Sequence, residues 1–247
     1  MHVAVEQEAA ALPVAETVPG TEAAAKQVVA RSISNASGAR LTLAGLRSLE
    51  GKQWLFEEVI HFVYSEMSSK FQSIEDLLFV PPNVAHALTN LQEDSNPLHI
   101  LDPANHNLLL FPVNNSENHD LVDSGNHWSL VVLRIDKAHN TCSFVHHDSI
   151  LNMNQGAAKR LVGNLKLFFP TFDSTYLEAE TPQQANGYDC GLYVIILAHK
   201  IACWWNKVKS GKKAETDGYD AASLVNSDMV SNTRQQLFDS LKKKFSQ

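Results

Sequence analysis

Between Pro182 and Ile196 the sequence reads PQQANGYDCGLYVII, a polar loop that runs directly into an apolar segment. The apolar segment continues to about Val208 and is too long for a buried strand, which predicts a buried helix that begins near Cys190. A thiol at a helix N-terminus is favoured as the reactive thiolate by the helix dipole. The free backbone N–H groups there can hold a developing oxyanion. Cys190 is therefore a candidate nucleophile, and inert packing, the usual role of a free cysteine, is the alternative.

The hydrophobic pattern of the remaining chain predicts alternating helices and strands. In chain order these are a helix at Trp54–Met67, a short helix opened by Pro81 and Pro82, strands at Asn107–Asn115, His127–Asp136 and Thr141–Ser149, a helix at Gln155–Phe169, a strand at Ser174–Glu180, the helix from Cys190, and a last helix at Met229–Phe245. The link KAHN between the second and third strands suits a hairpin. This order predicts an α+β fold, with a central mixed β-sheet flanked by helices.

The first 40 residues differ in composition from the rest of the chain. They are rich in Ala, Val, Glu, Ser and Gly and contain no aromatic residue. Such a segment cannot bury enough apolar surface to order itself. We therefore predict a flexible N-terminal tail at residues 1–40 and one domain at residues 41–247.

Composition and charge exclude several classes of protein. The net charge of −7 argues against a nucleic-acid surface, which is usually basic. No apolar run reaches the length of a membrane helix, and the N-terminus has neither the basic start nor the apolar core of a secretory signal. The three cysteines form no disulfide framework and suit a reducing compartment. We expect a soluble cytoplasmic or nuclear protein.

A nucleophilic cysteine needs a base, and His127 and Asp148 are the candidate base and orienting acid. His127 begins one strand of the predicted hairpin, and Asp148 ends the other. The start of one strand lies beside the end of its partner, so the two side chains are expected to be neighbours at one edge of the sheet. An aspartate there would fix the imidazole tautomer and stabilise the imidazolium.

Alternatives remain for both the base and the oxyanion donor. His146 can share a face with Asp148 and is the second candidate base, whereas His147 points to the opposite face. Gln184 lies in the loop before Cys190, where a side-chain amide can complete an oxyanion hole. Gln183 competes for that role, and spacing does not choose between the two.

Three motifs carry a family resemblance: GNHWSLVV (Gly125–Val132), VHHDS (Val145–Ser149) and PQQANGYDCGLYV (Pro182–Val194). They resemble the ubiquitin-like-protein-specific cysteine proteases, the sentrin/SUMO protease family, whose fold belongs to the papain-like superfamily. The family's order of His, Asp, Gln and Cys differs from that of papain, in which Cys comes first. The resemblance assigns His127, Asp148, Gln184 and Cys190 to these roles and covers about residues 41–245.

The resemblance also implies residues that bind the substrate. In the family, the Trp after the catalytic His closes over the narrow Gly-Gly tail of the modifier, which implies that role for Trp128. A second family Trp lies in a W-L-N-D motif, and the corresponding stretch here begins at Trp54. Phe56 and Glu57 replace the Asn and Asp, so that Glu57 keeps the charge with a longer reach. Packing as an anchor on the first helix is the alternative role of Trp54.

Within the family, FPVNNSENHDLVDSGNHWSLVV (Phe111–Val132) resembles the deneddylase branch, and HHDS and TPQQANGYDCG resemble its plant members. This implies a monomeric thiol isopeptidase, without metal or organic cofactor, that acts on the neddylation modifier and its conjugates such as cullins. SUMO is the alternative substrate. An inactive binder of a ubiquitin-like protein and a thioester-dependent acetyltransferase are alternatives of other classes.

Overall fold

The computed structural model describes residues 31–91, 101–102, 105–118, 124–213 and 218–246. The strands of these residues are β1 (Ser32–Ser34), β2 (Arg40–Thr42), β3 (Leu77–Phe79), β4 (Leu108–Asn114), β5 (Trp128–Asp136), β6 (Thr141–His147) and β7 (Asp173–Glu178). The helices are α1 (Leu43–Arg47), α2 (Glu57–Lys70), α3 (Pro82–Thr89), α4 (Gln155–Lys166), α5 (Cys190–Lys209) and α6 (Ser227–Phe245), with a short 3₁₀ turn at Ala221–Ser223. None of these helices is both long enough and apolar enough to cross a membrane.

The central sheet has five strands in the order β3-β4-β5-β6-β7. The three middle strands are antiparallel, while β3 runs parallel to β4 and β7 runs parallel to β6. The sheet is therefore mixed, as the sequence predicted. The hairpin of β5 and β6 is also confirmed, and its register pairs Leu130 with His147.

Helices cover both faces of the sheet, and each face has its own core. On one face, alternate residues such as Leu110 and Leu130 pack with α2, α5 and α6. On the other face, Phe111 and Val131 pack with α3 and α4. Because side chains alternate across a strand, β4 and β5 contribute to both cores and are buried almost throughout. The α+β class, with helices packed on a central mixed sheet, is confirmed.

The first long helix begins later than the sequence predicted. Trp54 precedes it, and α2 starts at Glu57 after an extended Phe56. Two acidic residues, Glu57 and Glu58, occupy the first turn, where the positive end of the helix dipole favours them. The segment before α2 stays extended because it packs against the start of α5, as described below.

Part of the predicted flexible tail has a defined structure. Composition predicts a flexible tail over residues 1–40, but Ser32–Ser34 forms β1 and pairs with β2. Arg31 donates a hydrogen bond of 2.6 Å to the carbonyl of Phe245, at the end of α6. A hydrogen-bonded hairpin fixed to a distant helix compensates for the low apolar content of these ten residues. Residues 1–30 lie outside the described residues, and their flexibility stays a prediction.

Candidate active site

Cys190 is the first residue of α5, as the sequence predicted, and its side chain is buried with 2% of its surface exposed. The loop before it is held by its own polar groups. Asn186 Oδ1 accepts hydrogen bonds from the backbone N–H groups of Tyr188 and Asp189, at 3.1 Å each. The next residue, Gly191, allows a close approach of the two segments, since a Cβ atom there would lie 3.1 Å from the Cβ atom of Leu55. The helix start is therefore pressed against the segment that precedes α2.

His127 and Asp148 meet at the end of the β5–β6 hairpin. His127 Nε2 lies 2.6 Å from Asp148 Oδ1, and both side chains are buried. The His127 side chain is also hydrogen-bonded to Cys190. Since Nε2 is engaged with the carboxylate, Nδ1 is the ring nitrogen left for the thiol. The neighbourhood of His127 and Asp148, expected from strand pairing, is what the structure shows.

The electrostatics of the pair favour an imidazolium next to a carboxylate. Burial alone lowers the pKa of His127, but the hydrogen bonds and charges of Asp148 and Cys190 outweigh it and raise that pKa to about 9. Burial opposes ionisation of Asp148, yet the hydrogen bonds from His127 and from two backbone N–H groups lower its pKa. His127 therefore keeps a proton at neutral pH.

The loop that follows Asp148 is arranged around its carboxylate. The backbone N–H of Ile150 donates to Oδ1 at 3.1 Å, and that of Asn154 donates to Oδ2 at 2.8 Å. The side chain of Asn154 in turn donates to the carbonyl of Val113 and to Ser129 Oγ, at 2.8 and 2.7 Å. These bonds fix the orientation of the acid, so the imidazole has one preferred position.

Asn115 holds the backbone of His127, a role that was not predicted from the sequence. Asn115 Oδ1 accepts hydrogen bonds from the N–H groups of Asn126 and His127, at 2.9 and 3.1 Å. Gly125 lies so close to Asn114 and Asn115 that any Cβ there would overlap their side chains. The available signal was the pair Asn114-Asn115 at the end of a strand together with Gly125, since amides and glycines concentrate where the backbone needs local partners.

The other two histidines of the hairpin are engaged elsewhere. His146, the second candidate base, is fully buried, with Nδ1 2.6 Å from Glu178 Oε2 and Nε2 2.9 Å from Ser129 Oγ. His147 lies on the opposite face, with Nε2 2.9 Å from Tyr219 Oη. Complete burial, together with the charge of His146, lowers the pKa of His147 to about 3. Neither ring makes a hydrogen bond with Cys190.

The two glutamines of the preceding loop have different partners. Gln183 donates to the carbonyls of Asp148 and Thr181 at 3.0 and 2.8 Å, so its amide group serves the loop structure. Gln184 accepts a hydrogen bond from Ser149 Oγ at 2.7 Å and donates to the carbonyl of Asn186 at 2.5 Å. Its amide nitrogen is therefore bonded within the loop that leads to Cys190, and the role of Gln184 as the oxyanion donor stays a prediction.

A narrow cleft of about 70 Å³ reaches Cys190 between two tryptophans. Its lining consists of Trp54, Leu55, Phe56, Asn114, Gly125, Asn126, Trp128 and Cys190. Trp128 is buried, whereas 52% of Trp54 is exposed, so Trp54 is not the core anchor that was its alternative role. Its indole N–H donates to the carbonyl of Gly187 at 2.5 Å and ties this wall to the nucleophile's loop.

Glu57 and the remaining cysteines do not line this cleft. Glu57 is half-buried at the start of α2 and is not among the residues that line the cleft. Cys142 is buried within β6, where burial raises its pKa, and Cys203 is half-buried on α5. All three cysteines are free thiols. Within the described ranges, no three His, Cys, Asp or Glu side chains are grouped so as to hold a metal ion.

A thiol beside a base, with an acid behind the base, is the arrangement that acyl transfer from an amide requires. With this fold it defines the class of cysteine peptidases, and the chain is a cysteine-type peptidase. Residues 53–231 match the Ulp1 protease family, C-terminal catalytic domain, and the chain belongs to that family.

Named relatives support the same family. The chain is 33% identical to NEDD8-specific protease 1 of Arabidopsis thaliana, over 84% of this chain and 91% of that protein. It is 31% identical to Sentrin-specific protease 8 of Homo sapiens, over 60% of this chain and 70% of that protein.

Solved structures share the fold. The C-terminal Ulp1 protease domain in complex with Smt3, the yeast ortholog of SUMO, is similar with a TM-score of 0.56 at 18% identity, over 92% of this chain and 96% of that one. The catalytic domain of the Chaetomium thermophilum Ulp1-like SUMO protease has a TM-score of 0.59 at 18% identity, over 92% of this chain and 88% of that one. These likenesses confirm the predicted class of fold.

Proposed function

We propose that the chain hydrolyses the bond after the C-terminal glycine of a ubiquitin-like modifier, and that the modifier it prefers is NEDD8. The observation that carries the proposal is the His127 side chain, which is hydrogen-bonded to both Asp148 and Cys190 where the narrow cleft ends. The preference for NEDD8 is supported by the relative named NEDD8-specific protease 1, which aligns with most of the chain.

The cleft supports a modifier whose tail ends in glycines. A cleft of such small volume, lined by Trp54 and Trp128, excludes any tail residue with a bulky side chain. The modifier is therefore selected by steric exclusion. The exposed faces of Trp54 and Phe56 border the entrance and offer apolar surface to the body of the modifier. Glu57 is the next residue along the chain, and we propose that it also contacts this partner.

The reaction proceeds through a thioester. The proton of Cys190 resides on His127, which is an imidazolium at neutral pH, and the sulfur attacks the carbonyl carbon of the terminal glycine. The oxyanion is stabilised by backbone N–H groups at the start of α5 and by the amide of Gln184. As the C–N bond breaks, His127 gives its proton to the leaving amine. Water then attacks the thioester, His127 takes a proton from it, and breakage of the C–S bond releases the modifier.

The biological setting follows from the same chemistry. A lysine amine as the leaving group makes the enzyme an isopeptidase that removes NEDD8 from conjugates such as cullins, and a peptide amine makes it a processor of the precursor. Three free thiols suit a reducing compartment, so we place the enzyme in the cytoplasm or nucleus. We propose that it works as a monomer and needs no cofactor, because the chain itself supplies the base, the acid and the oxyanion donors.

The proposal is tested with three probes built on NEDD8, SUMO and ubiquitin, each with an electrophile at its C-terminus. The NEDD8 probe is expected to label Cys190 at the lowest concentration, with hydrolysis of the corresponding NEDD8 amide. Cys190→Ala is the control, which should bind NEDD8 but neither react nor cleave. Preferred labelling by the SUMO probe would reassign the substrate. Full cleavage by Cys190→Ala would overturn the mechanism, and binding of NEDD8 by a wild-type chain without cleavage would identify an inactive binder.

A further inference from the structure

One buried arginine on the last helix has no role in the site described so far. Arg234 lies on α6, three residues beyond the part that matches the family, and only 9% of it is exposed. Its Nε and Nη2 atoms donate to Asp189 Oδ1 at 3.0 and 2.8 Å. Asp189 is the residue before Cys190 and is also buried, so the pair is an ion pair largely removed from water.

The same guanidinium joins three separate segments. Nη2 donates to the carbonyl of Tyr188 at 3.2 Å, in the nucleophile's loop. It also donates to the carbonyl of Gln53 at 3.1 Å, next to Trp54 in the cleft wall. Nη1 donates to the carbonyl of Ser48 at 3.1 Å, just after α1. An isolated buried charge would be costly, but here the hydrogen bonds of the guanidinium are directed at one carboxylate and three carbonyls.

Arg234 therefore contacts both the loop that precedes Cys190 and the segment that contains Trp54 of the cleft wall. Asp189 uses its second oxygen, Oδ2, to accept a hydrogen bond of 2.7 Å from Asn186, so the carboxylate also holds the loop itself. In the cleft wall, the indole N–H of Trp54 donates a hydrogen bond to the carbonyl of Gly187 in the same loop. A shift of Asp189 would move the first turn of α5, and Cys190 with it, relative to His127 on the sheet.

We propose that Arg234 is a positioning residue: through Asp189 it sets the place of Cys190 relative to His127 and aligns the nucleophile with the cleft wall. It touches neither the substrate nor the reacting atoms. The inference rests on the proposed function, because the rate it controls is that of modifier hydrolysis. The planar guanidinium of an arginine donates hydrogen bonds to several acceptors at fixed angles, and the compact ammonium of a lysine cannot do so.

The test compares the wild type with Arg234→Lys and Asp189→Asn. Functional sites are first counted with the electrophilic modifier probe, and kcat is then expressed per counted site. Misplacement of the nucleophile should lower this kcat by about 10- to 100-fold in either variant. Because both act through one contact, the double variant should be little worse than the poorer single variant. A purely structural role would lower the melting temperature and the number of sites but leave kcat per site unchanged.

Lys244→Met is the matched control, because it removes an ion pair between α6 and Glu66 of α2 that does not reach the nucleophile's loop. It should keep kcat per site at the wild-type value. If Arg234→Lys does not fold, the nearly isosteric Asp189→Asn decides the question. An unchanged kcat per site in these variants, or losses that multiply in the double variant, would overturn the inference.

A readout independent of the modifier separates this inference from the proposed function. The rate of alkylation of Cys190 by iodoacetamide, followed by peptide mass spectrometry, should fall in Arg234→Lys and stay at the wild-type rate in Lys244→Met. If no probe labels the wild type while this difference is seen, the proposed function is wrong and the positioning role stands. Equal alkylation rates in the wild type and Arg234→Lys would count against the positioning role.

Discussion

Nε2 of His127 and Oδ1 of Asp148 lie 2.6 Å apart, although the residues are 21 positions apart in the chain. Both belong to the open end of one antiparallel hairpin, so the two strands and their register bring them together. The contact fixes which ring nitrogen faces the acid and which faces the thiol. This contact and the contact between His127 and Cys190 together raise the pKa of His127 to about 9.

The first prediction concerns the alkaline limb of the activity profile. Because the pKa of His127 is raised to about 9, the imidazolium persists through neutral pH and is lost only as the pH rises through that value. We expect kcat/KM to fall above about pH 9. In Asp148→Asn the hydrogen bond and charge that raise this pKa are lost, so the limb should move to lower pH and kcat should fall on the order of 10³- to 10⁴-fold. The measurement is kcat/KM against pH for both proteins, and an unmoved limb in Asp148→Asn would contradict the assignment.

The second prediction distinguishes the two candidate bases. His127→Ala should abolish hydrolysis, whereas His146→Ala should retain most of it, because His146 is engaged by Glu178 and Ser129. Loss of those buried hydrogen bonds should instead lower the free energy of unfolding by about 1–3 kcal/mol. Steady-state rates and urea unfolding of both variants provide the measurement. An inactive but fully stable His146→Ala would make His146 the base.

The third prediction separates the two glutamines. Gln184→Ala should lower kcat by about 10²- to 10³-fold with little change in KM, since an oxyanion donor acts in the transition state. Gln183→Ala should mainly lower stability, because its side chain bonds to the backbone of Asp148, Thr181 and Leu151. The two variants serve as each other's control, and the reverse pattern of effects would transfer the role to Gln183.

The fourth prediction concerns stability in acid. Burial and the charge of His146 lower the pKa of His147 to about 3, below the 6.5 of an unfolded chain. Between these values the unfolded state binds a proton that the folded state does not, so stability must fall as the pH falls below 6.5. This group alone contributes a slope of roughly 1.4 kcal/mol per pH unit. Urea unfolding of the wild type between pH 6 and 4 should show the slope and His147→Gln a smaller one, while equal slopes would exclude His147 as the cause.

The parts of the site that follow from strand pairing could be predicted from the sequence. The two strand-like runs of β5 and β6, with a short link between them, placed His127 beside Asp148. The change from a polar loop to an apolar run placed Cys190 at a helix start. Both inferences need only local periodicity and the geometry of a hairpin.

Contacts between distant segments could not be predicted in this way. Helical periodicity includes Trp54, yet this residue stays outside α2, because Leu55 packs against Gly191 at the start of α5. The pairing of β1 depends on β2, and its attachment depends on a bond from Arg31 to the far end of α6. Asn115 acts on a residue across a loop. None of these partners follows from the pattern of apolar residues, which reports which face of an element is buried but not what covers it.

The separation of the reacting groups between the hairpin and α5 has a consequence for how the enzyme matures. The hairpin unites His127 and Asp148 through contacts near in sequence, which form early, whereas α5 docks on the sheet through contacts distant in sequence. Until that docking is complete, Cys190 has no imidazole beside it and remains an ordinary thiol. Partly folded chains are thereby kept inert, and the rate at which Cys190 reacts with a small electrophile reports the last step of folding.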